Sequence, residues 1–190
     1  VKNGDWSQRP PAVKNSPVKF MKTIDWNPPT PDMQQWAGAL AFGLPRENMD
    51  GIVLQMPGNL QSQDFNLTAS LLEEFLRNFR KEAPDSPLFL SIPAHFPLKL
   101  LVERDMRFDK IILRTTKWQD ALQFRNSAME LSLFEKMPLC IMLDVRQFKD
   151  RLKLETYIAE VMRELEVENV LFDNLSAFIE METRGMMIDD

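Results

Sequence analysis

Six side chains capable of chemistry stand at, or just past, the ends of short apolar runs in this sequence. Asp25 ends VKFMKTID, Asn59 follows GIVLQMP, and His95 follows PLFLSIP. Arg114 comes directly after KIIL, Asp144 after PLCIML and Asp173 after NVLF. Paired carboxylates cleave glycosidic bonds when they face each other about 5 to 9 Å apart, one as acid and the other as nucleophile or base. Asp25, Asp144 and Asp173 offer such a pair, and His95 a further proton acceptor. Arg114 suits an anionic or hydroxylated group, and Asn59 can orient a substrate through its amide. Trp26 and Trp118 stand at the same run ends and offer flat platforms for a sugar ring. Each residue also has an ordinary structural role. Asp and Asn suit turns and helix N-caps, and the tryptophans can cover a seam between helix and sheet. Arg114 with Asp144 would make an ion pair at the lip of a core, and His95 can be a polar loop residue.

Other chemistries fail on counting or spacing. His95 is the single histidine, which rules out an imidazole-rich metal site. An all-carboxylate Mg²⁺ site from Asp25, Asp144 and Asp173 stays open, though no spacing demands it, and the expectation is no metal and no cofactor. Cys140 precedes Asp144 by four residues in one run, about 13 Å along a strand, so it is read as a core residue and not as the partner of His95. No Gly-x-Ser-x-Gly elbow occurs. Gly38 and Gly43 have the first spacing of a phosphate loop, but Leu44-Pro45 replaces the required lysine and hydroxyl. No Gly-x-Gly-x-x-Gly follows any apolar run.

The elements that must position these residues are legible from their patterns. The apolar runs at 18–25, 51–57, 87–93, 110–116, 138–145 and 169–174 read as strands covered on both faces. Lys19 and Lys22 interrupt the first, which places it at a sheet edge. Helical patterns fill the gaps. Leu71, Leu72, Phe75, Leu76 and Phe79 make one stripe, and Leu154, Ile158, Val161 and Leu165 another. Further helices are expected over 32–42, 97–105 and 118–134, the last broken near Asn126-Ser127. Met49, Met56, Met142 and Met162 are expected in the core, and Met181, Met186 and Met187 on a docking patch.

A βα unit repeated six times gives the α/β class with a mostly parallel sheet. The expected architecture is a partial or degenerate (βα) barrel, and the alternative is an open doubly wound sheet of six strands. In both, ligands sit beyond the carboxyl ends of the strands, where Gln55 and Ser91 also fall.

The bulk numbers set the frame. With 190 residues, 44% hydrophobic and 27% charged, the chain suits one globular domain over 18–190, behind a flexible leader or linker at 1–17. Starting on Val, it is read as a possible piece of a longer chain. A net charge of −5 speaks against general nucleic-acid binding, and no apolar run is long enough to span a bilayer. One cysteine favours a reducing, cytoplasmic setting. Residues 1–22 carry five basic groups against Asp5, and residues 154–190 ten acids against Arg163 and Arg184. Such asymmetry fits contact with another protein or with the rest of a longer chain. Two functions follow: a non-catalytic barrel-like domain binding a ligand or protein, or a barrel-like hydrolase of the glycoside-hydrolase type.

Overall fold

The computed structural model describes residues 21–28, 32–47, 49–115, 117–133, 137–165, 169–173 and 180–181. The 1–17 leader, Lys19, Met186 and Met187 lie outside them, as do the side chains of Asp144 and Asp173.

Strands and helices alternate from end to end. The strands are β1 (Met21–Asp25), β2 (Gly51–Gln55), β3 (Leu88–Pro93), β4 (Lys110–Arg114), β5 (Leu139–Asp144) and β6 (Asn169–Asp173). Between them lie α1 (Met33–Arg46), α2 (Phe65–Glu82), α3 (Lys99–Glu103), α4 (Trp118–Glu130) and α5 (Arg151–Leu165). No helix among the described residues is long and apolar enough to cross a membrane.

Local signals account for the helix ends. Asp32 caps α1 by accepting from the Gln35 amide at 3.1 Å. Helix α3 stops in a paired 6→1 and 5→2 arrangement, with Met106 N bonded to Leu101 O and Asp105 N to Val102 O. Helix α4 stops the same way, with Leu133 N on Ala128 O and Ser132 N on Met129 O. Asp105 and Ser132 hold the left-handed position in these stops, at φ 46° and 50°.

Two sequence expectations are corrected. Helix α4 runs unbroken through Asn126 and Ser127. The propensity cost of Asn and Ser is only a few tenths of a kcal/mol each, roughly, and the buried Phe124 and Ala128 on either side outweigh it. Met162 is exposed instead of filling the core, because the buried stripe of α5 runs through Leu154, Val161 and Leu165. Met56 is fully buried, and Met49 and Met142 pack at the core margin.

All five neighbouring strand pairs are parallel, and the spatial order is β1-β2-β3-β4-β5-β6. A doubly wound sheet reverses its strand order part-way. This one never does. The first strand lies at an edge, as its lysines indicate, and Lys22 is neutralised by Glu47, just past the end of α1, at 2.6 Å.

The register steps upward across the sheet. Asp25, Gln55, Ser91, Ile112, Cys140 and Asn169 form one row of partners. Strand β3 continues two residues beyond that row to Pro93, whose partner is Arg114. Strand β5 continues two further, to Asp144, whose partner is Asp173. Two residues gained per pair of strands is the slope of an eight-stranded barrel of shear 8.

Right-handed crossovers between sequential strands put every helix on the same face. On that face Ile52, Leu54, Leu88, Leu90, Ile92, Ile111, Leu113, Ile141 and Leu143 join the helix stripes in the main core. The helix-free face holds a smaller cluster of Val53, Ile112 and Cys140, with Met21, Phe89 and Met142 only partly covered. Cys140 is thus a buried core thiol.

Candidate functional site

The polar residues of the helix-free face gather at the carboxyl ends of the first four strands. Asp25, Gln55 and Ser91 occupy one register row on β1, β2 and β3, so their side chains project from the same face. Gln55 Nε2 donates to Asp25 Oδ1 at 3.0 Å. Ser91 is fully buried, and its hydroxyl finds no hydrogen-bond partner among the described residues. Arg114 rises one step above Ser91 on β4, and its Nη2 donates to the carbonyl of Met56, just past β2. The guanidinium thereby reaches over β3 and ties the ends of strands two apart.

This row can hold a hydroxylated group at the sheet edge through the Asp25 carboxylate and the Gln55 amide. It can also serve as a polar seam for a neighbouring backbone. Asp25 is exposed and Gln55 half-buried, so both are reachable from solvent. Among the described residues no group of three His, Cys, Asp or Glu side chains is set to hold a metal ion.

The other expected site residues lie elsewhere. Trp26 is buried on the helix side, edge-on to Trp36 at 5.7 Å and to Phe75 at 6.0 Å. Succeeding residues of a strand point to opposite faces, so the residue after Asp25 turns into the helices and is no sugar platform at the rim. Trp118 opens α4 and packs edge-on to Tyr157 of α5 at 6.3 Å, covering the seam between those helices. Asn59 is exposed in the turn after β2. His95 is exposed in the β3–α3 turn, where its Nε2 meets the Leu60 carbonyl at 3.2 Å. It stands on the wall of a cavity of about 390 Å³ between that turn and α4, with Lys99 and Glu130. Asp144 and Asp173 end β5 and β6 as direct register partners.

Burial raises the pKa of the Tyr157 phenol above 10.0, and the charge of nearby Glu160 adds to the effect. That group belongs to the α4–α5 seam, not to the rim.

Gln55 and Ser91 complete the row, and the signal for them was the two-residue alternation. Gln55 is the register partner of Asp25, and Ser91 that of Gln55. Asn59 and His95 lie beyond the strands, where no sheet register aims a side chain.

No family model and no curated protein matches the chain. Solved structures do. A mandelate racemase/muconate lactonizing enzyme from Roseiflexus sp. superimposes with a TM-score of 0.52 at 14% identity, over 80% of this chain and 39% of that one. The active domain 2 of a chitinase from Pyrococcus furiosus superimposes with a TM-score of 0.54 at 10% identity, over 79% of this chain and 60% of that one. The chain has the fold of a partial (βα) barrel. At such identities the likeness is one of fold, and the chain spans less than two thirds of either protein's length.

Proposed function

We propose that the chain is a non-catalytic binding module, an incomplete (βα) barrel that joins another protein or other segments of a longer polypeptide. The contact would run along β1, β6 and the helix-free face between them. The stagger of the strands carries this reading. A register gain of two residues per strand pair, continued through two more strands, closes a barrel of eight strands and shear 8. A partner supplying two parallel strands fits that gap and would cover Met21, Phe89 and Met142. Main-chain bonding to an exposed strand edge is an established mode of recognition.

The rim residues support the same reading. Asp25 is engaged by Gln55, Arg114 by the Met56 carbonyl and His95 by the Leu60 carbonyl, so each is held by a different structural partner. The test is a photo-crosslinking residue at Thr23, on the helix-free face of β1, with exposed Asn66 on α2 as control. In the native setting adducts form at position 23 and not at 66. Equal labelling at both, or none at 23, overturns the reading.

One observation favours a hydrolase as second reading. Asp144 and Asp173 are register partners on adjacent strands, and adjacent strands run about 4.8 Å apart, close to the carboxyl spacing of retaining glycosidases. Turnover of aryl glycosides that falls by about a hundredfold or more in both Asp144→Asn and Asp173→Asn supports this reading.

A further inference from the structure

The end of the sheet opposite the rim carries an uneven distribution of charge. A groove of about 410 Å³ between the last turns of α2 and the α3–β4 loop is lined by Arg77, Arg80, Arg104 and Arg107, against Glu73 and Asp105. Four guanidinium groups meet three carboxylates there, Glu73, Asp105 and Asp109, in a chain whose net charge is −5. Glu73 serves both Arg77 and Arg104, so one positive charge is left over to attract an anion.

The four arginines divide into two kinds. Arg80 holds the fold together, bonding Asp109 at 2.7 Å and the Ser86 carbonyl at 2.8 Å. Arg104 braces the α3–β4 loop against α2 through Ser70 at 3.1 Å and Glu73 at 3.3 Å. These side chains are only 29% and 30% exposed. Arg77 and Arg107 are 72% and 68% exposed, and neither braces one element against another. Arg77 has a loose contact with Glu73 at 3.9 Å. Arg107 is held by Asp105 Oδ1, 3.1 Å from both Nε and Nη2. Asp105 occupies a left-handed helix stop where glycine is the less costly choice. Its carboxylate orients Arg107 over the groove.

We propose that this groove is a binding site for a small molecule bearing a phosphate monoester or diphosphate, gripped by Arg77 and Arg107 and backed by Arg80 and Arg104. The planar fork of arginine matches phosphate oxygens in pairs. The volume suits a ligand of metabolite size.

Titration calorimetry with pyrophosphate tests it. Saturable 1:1 binding is expected, weakened about tenfold or more for each fork removed, so Arg77→Ala/Arg107→Ala abolishes the measurable heat. Arg77→Lys/Arg107→Lys keeps the charge, loses the fork and binds more weakly than the parent. Arg163→Ala, remote from the groove, binds like the parent. Circular dichroism confirms that each variant is folded. Absence of saturable heat overturns the proposal, as does undiminished binding by either double variant. An equal loss in Arg163→Ala does the same, since it marks diffuse attraction and not a site.

Discussion

The Gln55 amide and the Asp25 carboxylate meet at 3.0 Å across the last paired positions of β2 and β1. The bond links two parallel strands at a solvent-reachable edge, so its net worth is small. Gln55→Ala is expected to cost less than about 1 kcal/mol, a fall in melting temperature of no more than roughly 2–4 °C for a chain of this size. Thermal unfolding followed by circular dichroism checks this. A larger loss would make the pair a structural clamp instead of an available polar edge.

Ser91 is the counterpart within the same row. Its hydroxyl is fully buried and lacks a hydrogen-bond partner among the described residues. An unsatisfied buried hydroxyl costs about 1–3 kcal/mol, which Ser91→Ala removes along with the group. The variant is expected to unfold at a higher urea concentration than the parent with an unchanged slope. Destabilisation would show that the hydroxyl is bonded in solution.

Two glycines separate backbone crowding from backbone entropy. A Cβ at Gly51 would lie 2.2 Å from the Pro87 carbonyl oxygen, an approach no side-chain adjustment relieves. A Cβ at Gly38 in α1 meets nothing within 4 Å. Gly51→Ala should therefore destabilise by about 1–3 kcal/mol as the β2–β3 junction shifts. Gly38→Ala should stabilise by about 0.5–1 kcal/mol. Chemical denaturation of both variants checks the opposite signs.

Tyr157 is the single tyrosine, so its titration is directly visible. Burial, then the charge of Glu160, raises its pKa above 10.0 in the folded state. The native chain thus holds this proton more tightly than the unfolded chain does. Its contribution to stability is complete below about pH 10 and is lost as pH rises through the higher folded value. Phenolate absorbance should show a midpoint above 10.0 in the folded protein and near 10.0 in denaturant. Coincident midpoints would place the ring in water.

The strands were legible because parallel strands buried on both faces leave continuous apolar runs, such as Ile111-Ile112-Leu113. The stripe Leu72, Phe75, Leu76 and Phe79 announced α2 in the same direct way. The rim was harder to read. Asn59, His95 and Trp26 all lie near strand ends in the sequence, yet which face a residue joins depends on its place in the sheet register, and a shift of one residue reverses it. That register sends Trp26 to Trp36 and Phe75 while keeping Asp25 with Gln55 and Ser91. The arginine groove gave no local signal. It forms only when α2 and the α3–β4 loop, more than twenty residues apart in sequence, come together.

Residue-resolved amide exchange along β1 tests the incomplete barrel most directly. Trp26 N bonds to Gln55 O, and the two-residue period assigns the Ile24 and Lys22 amides to β2 as well. The amides of Thr23 and Asp25 then point to the outer edge, which no described strand covers. In the isolated chain Lys22, Ile24 and Trp26 should be protected while Thr23 and Asp25 exchange at nearly unprotected rates. Equal, strong protection of all five would mean that β1 already has a second neighbour, and the open barrel would be wrong.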